Sequence, residues 1–403
     1  MPDLNEIRRA RERIRDELVL TPCTRSLGFE DLLPCRLLFK FENLHRTGSF
    51  KDRGSLNKLL QLGEEERARG VITASAGNHA QAVAYHASRL GIPTTVVMPE
   101  TTPLVKVSKT RTYGAEVLLR GTVFDDAVDE ARRIVAESGQ VMIPAFDDDA
   151  VIAGQGTIAL ELVEQAEEID VVVVPVGGGG LISGIAIGLK SLLPHVRVVG
   201  VEAEAAPSAR ASLDAGEVVR IESTETIADG IAVKRIGDRT FPLIREFVDD
   251  VVVVSEEEIA NAVLLLLERE KTIVEGAGAV PLAALLRGRI PVEGDEVAVA
   301  ILSGGNIDVN QISRIIDRGL VADGRLARLM VKVPDKPGSL AGLARIVAAR
   351  GANVLEIYHQ RAFADISVGD VEIVMHLETR GRHHVREIIE ALEGEGLRVE
   401  EEV

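Results

Sequence analysis

Residues 171–193 read VVVVPVGGGGLISGIAIGLKSLL. A β-branched run ends at Val176, four glycines follow, and the rest carries apolar side chains at helical spacing. No charge occurs from Val171 to Leu189, a length that raises the question of a membrane span. Pro175, the glycine tetrad and Gly184 inside it predict a buried strand, a glycine turn and a helix instead. A strand apolar at every position belongs in a parallel sheet covered on both faces. Four glycines at a strand-to-helix turn let backbone N–H groups approach a ligand closely, and the helix start adds partial positive charge, which suits a phosphate. Two familiar phosphate motifs do not fit. Ile182 or Ser183 stands where the last glycine of G-x-G-x-x-G belongs, and Leu189 separates Gly188 from Lys190 where a P-loop needs Gly-Lys. A purely structural tight turn is the other reading of this loop.

The same rhythm extends outward. Predicted strands are Leu37–Phe41, Val71–Ala74, Thr94–Met98, Glu116–Leu119, Val171–Val176, Val196–Val201, Val251–Val254 and Val297–Leu302, with helices between them such as 77–90, 124–138, 154–167 and 256–270. The pattern predicts an α/β domain over 1–320, with a parallel sheet covered by helices on both faces. The segment GLVADGRLAR (319–328) breaks the rhythm, and 327–403 reads βαββαβ, a small ferredoxin-like unit. The pair His383-His384, in a charged helix of that unit, reads as a solvated face.

The chain has 403 residues, 46% apolar and 27% charged, so it can bury large cores without disulfides or metal. Against 46 basic side chains stand 63 acidic ones, a formal charge of −17, which argues against nucleic-acid and anionic-membrane partners. Aromatics at 3%, with no Trp, leave few base-stacking platforms. Cys23 and Cys35 form no metal or disulfide pattern, and Met1–Leu20 has no apolar leader core, so a cytoplasmic protein is expected.

Two further loops share the polar-glycine character of 177–180. Ser75-Ala76-Gly77-Asn78-His79 follows a strand and opens a helix, and Ser303-Gly304-Gly305-Asn306 follows VAVAIL. In open α/β sheets such loops line the ligand crevice. Lysines number 10 against 36 arginines, so each is mildly informative. Lys51 begins a helix after Glu42-Asn43-Leu44-His45-Arg46-Thr47-Gly48-Ser49-Phe50. A cation gains nothing from a helix N-terminus, and a nearby positive end lowers an amine's pKa, which helps it act as nucleophile or base. On position alone it could equally be a solvated surface lysine.

Taken in series, ENLHRTGSFKDRG, SAGNHAQAVAY, GQGTIALEL, VGGGGLISG and LSGGN closely resemble the pyridoxal-phosphate enzymes of the tryptophan-synthase-β type, and within them the threonine dehydratases (threonine ammonia-lyases), over about residues 4–318. The resemblance implies a fold-type II enzyme: a catalytic domain over 1–320 with two open, mostly parallel twisted sheets covered by helices, a smaller subdomain, roughly 50–148, inserted in the larger one, and pyridoxal 5′-phosphate as the cofactor. It implies that Lys51 carries the cofactor covalently and serves as the catalytic base. Phe50 would pack near the ring, Gly177, Gly178, Gly179, Gly180 and Leu181 would bind the phosphate, and Asn78 would meet the 3′-oxygen. An N-cap role for Asn78 can coexist with that one. Ser75, Ala76, Gly77, Asn78 and His79 would form the substrate-carboxylate loop, with Glu275 of EGAG near the substrate; His79 also reads as a structural histidine. Ser303 would face the ring nitrogen. A neutral hydroxyl there makes a weaker electron sink than a carboxylate, which suits loss of a β-leaving group better than racemisation or transamination.

The implied reaction is deamination of L-threonine to 2-oxobutanoate and ammonia, with L-serine giving pyruvate. Serine racemases of the family carry S-S-G-N-H, whereas Ala76 stands at the second position here and cannot donate a proton. Their divalent site pairs a glutamate with an aspartate six residues on. Here Glu202 is followed by Ser208, so no metal site is assigned. The tail, VPDKPGSL (333–340) then RGANV (350–354), is similar to an ACT regulatory domain. That resemblance implies an allosteric site at Pro337, Gly338 and Asn353 for an amino-acid effector such as isoleucine, and a homodimer or homotetramer. A serine racemase/dehydratase or another β-eliminating or β-replacing enzyme, and more remotely a non-catalytic amino-acid sensor on the same fold, are the alternatives.

Overall fold

The computed structural model describes residues 1–361, 367 and 369–402 and separates into two compact units, Met1–Asp308 and Val309–Val403. The division falls ahead of the expected 320–327 stretch. Helix Val309–Ala322 groups with the second unit, although its helical spacing continues the rhythm of the first.

Strands of the first unit are β1 (Cys23–Arg25), β2 (Arg36–Lys40), β3 (Val71–Ala74), β4 (Thr94–Met98), β5 (Glu116–Leu119), β6 (Val141–Met142), β7 (Val171–Pro175), β8 (Arg197–Ala203), β9 (Asp250–Val254) and β10 (Val297–Ile301). They form a six-stranded sheet, β1-β2-β10-β7-β8-β9, and a four-stranded sheet, β5-β4-β3-β6. Every pairing is parallel except β1 on β2. β1 and β6 escape the sequence reading because three and two residues are too few to show a period.

The quoted stretch folds as its pattern requires. β7 is buried throughout, and helix Gly180–Leu192 follows the glycines. Val172, Val174, Ile182, Ile185 and Leu189 join Ile158 and Leu162 in one core. Each such side chain contributes roughly 1.5–3 kcal/mol by leaving water, so the turn between strand and helix is fixed from both sides. No helix among the described residues is long and apolar enough to cross a membrane. Two helix limits differ from expectation. The helix expected from 154 starts at Asp149, because Asp148 accepts from the N–H groups of Ala150 and Val151. The one expected to 270 is α-helical only to Leu265 and widens into a π-helical turn over Leu266–Glu270.

The second unit contains β11 (Leu326–Pro334), β12 (Asn353–Gln360), β13 (Asp370–Glu378) and β14 (Arg398–Glu402), an antiparallel sheet ordered β12-β13-β11-β14. Helices Ser339–Ala349 and Arg382–Gly394 bring Leu343, Val347, Val385, Ile388 and Leu392 onto its buried residues Leu329, Val331, Ile373 and Met375. The expectation that His383-His384 is a solvated pair holds for one member only. His384 is buried, accepts at Nδ1 from the Arg380 N–H (3.0 Å) and meets the Arg350 carbonyl through Nε2 (2.8 Å).

Candidate active site

β2, β10 and β7 are adjacent and parallel. Their carboxyl ends therefore set three loops side by side: the one leading to Lys51, the one starting at Ser303, and the glycine tetrad. The backbone ties the first two together. The Phe50 N–H donates to the Ser303 carbonyl at 3.0 Å, and the Gly305 N–H donates to the Gly48 carbonyl at 2.9 Å. The loop after β3 of the smaller sheet completes the site. The result is a cavity of about 800 Å³ lined by Phe50, Lys51, Ser75, Ala76, Gly77, Asn78, His79, Gly177, Gly178, Gly179, Gly180, Leu181, Glu275 and Ser303. Residues read from five separated stretches of sequence thus share one wall. Pro337, Gly338 and Asn353 lie in the second unit and are exposed; there the Asn353 amide donates to Glu378 at 3.2 Å.

Lys51 opens helix Lys51–Leu60. Its Nζ donates to the Ala145 carbonyl at 2.7 Å and stands 5.0 Å from the Phe50 ring centre. Burial lowers its pKa to about 8, against a partial opposing pull from the Glu275 charge. The amine is therefore far more often neutral near pH 7 than an ordinary lysine.

The glycine turn is shaped by its neighbours. A Cβ on Gly178 would lie 2.3 Å from the Phe146 ring, and one on Gly179, at φ +91°, would lie 2.7 Å from Thr240 Oγ1. Thr240 Oγ1 also donates to the Gly178 carbonyl at 2.7 Å, pinning the turn. The ladder of the following helix begins with the Ser183 N–H on the Gly179 carbonyl, so the N–H groups ahead of it have no carbonyl one turn back. Phe146 and Thr240 carried no sequence signal. They matter only because the fold brings them against glycines some 30 and 60 residues away.

Asn78 is the first residue of helix Asn78–Arg89, and Gly77 is its N-cap, so the expected capping role is not the one it plays. Its Nδ2 donates to Glu275 Oε1 at 2.6 Å, and its Oδ1 accepts from Asn306 Nδ2 at 2.8 Å. Burial, reinforced by Asp229, pushes the Glu275 carboxyl up to about 7. His79 is buried, with Nε2 on the Ile143 carbonyl (2.9 Å) and Nδ1 facing Ser55 Oγ (3.4 Å). Both ring nitrogens are thus turned to protein partners. Burial first, and then the Lys51 charge, lower its pKa to about 3, so the ring is neutral.

Glu202 is fully buried. Its two carboxylate oxygens accept from the N–H groups of Ala209 and Arg210, both at 2.8 Å, so it serves the start of helix Ser208–Ala215. Four more polar residues on the cavity wall were given no role by sequence. Lys109 donates to Asn306 Oδ1 at 2.6 Å, and Lys106 pairs with Asp229 at 2.6 Å. The rarity of lysine was a usable signal for both, and Asn306 stood within the quoted LSGGN.

Residues 14–304 match the family model described as pyridoxal-phosphate dependent enzyme, and 327–394 match the ACT domain. Over 394 residues the chain is 50% identical to an L-threonine ammonia-lyase of Geobacter sulfurreducens, covering 98% of both chains. It is 48% identical to an L-threonine ammonia-lyase of Thermotoga maritima, covering 99% of both. The crystal structure of a T.th. threonine deaminase superposes with a TM-score of 0.72 at 45% identity, over 76% of this chain and 99% of that one. Serine racemase from Dictyostelium discoideum gives the same TM-score at 39% identity, over 76% and 99%.

Proposed function

The chain belongs to the pyridoxal-phosphate dependent enzymes and ends in an ACT domain, and from that premise we propose that it is an L-threonine ammonia-lyase under amino-acid control. One observation carries the reading: the Lys51 amine, the side-chain-free glycine turn, the Ser75–His79 loop and Ser303 all border a single cavity.

The residues present fit pyridoxal phosphate. The turn at Gly178 and Gly179 borders the cavity and has no room for a Cβ, and the N–H groups at the start of helix Gly180–Leu192, Leu181 among them, would hold the phosphate. Lys51 would hold the aldehyde carbon, with Phe50 beside the ring. Asn78 Nδ2 would meet the 3′-oxygen, and the neutral hydroxyl of Ser303 would meet the ring nitrogen. When bound, the cofactor supplies an electron sink that acidifies the Cα–H of an attached amino acid. The N–H groups of the 75–79 loop orient the substrate carboxylate. Lys51, as a freed amine with depressed basicity, takes the Cα proton. The β-hydroxyl takes up a proton and leaves as water, and a water returns in the hydrolysis of the C–N bond, so that threonine ends as 2-oxobutanoate and ammonia. Serine would end as pyruvate by the same route.

Ala76 borders the cavity with no proton to give to the opposite face of Cα, which favours elimination over racemisation. The exposed turn at Pro337-Gly338 and the strand start at Asn353 are the proposed effector site, with isoleucine as the effector. A homodimer or homotetramer in the cytoplasm completes the proposal. The test is release of ammonia and 2-oxo acid from L-threonine and from L-serine, with and without isoleucine. Absence of release from both substrates by protein reconstituted with pyridoxal phosphate would overturn the catalytic reading. Release unmoved by any amino acid would overturn the regulatory one.

A further inference from the structure

Asn306 joins three segments that the catalytic reading leaves separate. Its Nδ2 donates to the Thr47 carbonyl at 2.6 Å, in the loop leading to Lys51, and to Asn78 Oδ1 at 2.8 Å. Its Oδ1 accepts from Lys109 Nζ at 2.6 Å, on helix Leu104–Thr112. A carboxamide can be turned end for end with little change of shape, so its direction is set by its partners. Here each end of Asn306 has a one-way partner. An ammonium only donates, and a backbone carbonyl only accepts. Turning Asn306 over would set N–H against Lys109 and oxygen against oxygen at Thr47.

The direction then passes on. With Nδ2 of Asn306 facing it, the Asn78 side chain must offer its oxygen on that side and its N–H pair on the other. One of those N–H groups reaches Glu275 Oε1 at 2.6 Å, and the second remains for the cavity. We infer that Asn306, set in turn by Lys109 and the Thr47 carbonyl, is a positioning residue that fixes the Asn78 carboxamide with its N–H pair toward the cofactor's 3′-oxygen and Glu275. Without that anchor only Glu275 holds the carboxamide in this direction, and a protonated Glu275, which can donate, lets Asn78 present its oxygen to an anionic oxygen, exchanging an attraction for a repulsion. The inference rests on the pyridoxal-phosphate reading above and adds to it two residues to which that reading gives no role.

The experiment begins with the wild-type holoenzyme, whose visible absorbance and threonine turnover test the underlying reading alone; their absence would overturn that reading and this inference with it. Apoenzyme variants are then titrated with pyridoxal phosphate, following the visible band. Asn306→Asp keeps the shape but cannot donate, and Asn306→Leu keeps the volume without polarity. Both are expected to weaken cofactor binding by about tenfold or more and to displace the band and its pH midpoint, as loss of an oriented hydrogen bond to a charged oxygen requires. Lys109→Met should weaken binding by about threefold, a small loss because the Thr47 carbonyl still sets the other end of Asn306, and Lys109→Arg should restore it. A space-filling role would leave the band of Asn306→Leu where it is. Wild-type affinity and band in either folded Asn306 variant would overturn the inference while leaving the cofactor reading intact. If neither Asn306 variant folds, the Lys109 pair decides it: unchanged binding and band in Lys109→Met would overturn it equally.

Discussion

Replacing Gly178 by alanine tests whether the glycine turn is held by its neighbours or merely tolerated by them. The new Cβ would lie 2.3 Å from two atoms of the Phe146 ring and 2.4 Å from a third. Carbon atoms sit comfortably at about 3.5–4.0 Å, so ring or turn must give way by more than about 1 Å. Phe146 has little freedom to do so alone, because its backbone also closes on Gly180, where an added Cβ would meet the Phe146 carbonyl at 2.9 Å. The turn is pinned on its far side by Thr240 Oγ1. Overpacking of this kind costs about 1–3 kcal/mol. A displacement of about 1 Å in a group that positions a reactant costs on the order of a hundredfold in rate. Gly178→Ala is therefore expected to lower the melting temperature modestly and to weaken pyridoxal-phosphate binding strongly, by absorbance titration of the apoenzyme. Adding Phe146→Ala opens the space, so the double variant should bind the cofactor more tightly than Gly178→Ala alone. That coupling in a double-mutant cycle is the quantity to measure. Wild-type affinity in Gly178→Ala, or additive losses in the double variant, would refute the cradle.

Lys51→Ala is expected to leave a folded protein without the visible band, to abolish borohydride labelling of that peptide, and to reduce threonine turnover by at least about a thousandfold, the middle of the range for loss of a proton-transfer group. The pH profile of kcat carries a sign. Lys51 must be neutral to accept a proton and its pKa lies at about 8, so kcat should rise with pH and level off above that value. Glu275 holds the pKa up, so Glu275→Gln should move the rising limb to lower pH; a shift to higher pH would contradict the assignment. Arg53→Met should destabilise the protein by about 3–5 kcal/mol, read from denaturant melts, because it leaves Glu42 and Glu161 buried without their shared cation.

Much of the fold was legible because its signals are local. β7 and β10 are continuous apolar runs, and the glycines between β7 and its helix announce the turn. Lys51, Asn78 and Ser303 were legible for a related reason, since each stands at a strand-to-helix turn inside a recognisable stretch. What stayed hidden depends on distance in sequence. Nothing near Phe146 or Thr240 says that each will press on a glycine. His384 shares the composition of a solvated helix and is buried only because the Arg350 carbonyl and the Arg380 N–H come to it. Capping by Gly77 rather than Asn78 follows from the demands of Glu275 and Asn306 on the asparagine, and those partners lie about 200 residues further along.

The first turn of the Lys51 helix shows how burial selects one reactive group among three. Successive helical residues point about 100° apart, so Lys51, Asp52 and Arg53 face different surroundings although all are charged at pH 7 in water. Asp52 accepts from Thr47 Oγ1 and the Thr47 N–H and lies 3.3 Å from His86 Nε2. Arg53 is met by Glu42 and Glu161, with Lys40 on the same Glu161. Both neighbours are thereby held in their charged forms: the carboxyl of Asp52 is lowered despite burial, and the guanidinium of Arg53 is raised. Lys51, partly buried at the cavity wall, has no carboxylate at ion-pair distance among the described residues, only the neutral Ala145 carbonyl. Desolvation without a counter-ion is what depresses an amine. A carboxylate placed within 4 Å of Nζ would stabilise the helix turn and remove the base, so pairing Asp52 and Arg53 while leaving Lys51 unpaired is the arrangement that keeps the turn folded and the amine available.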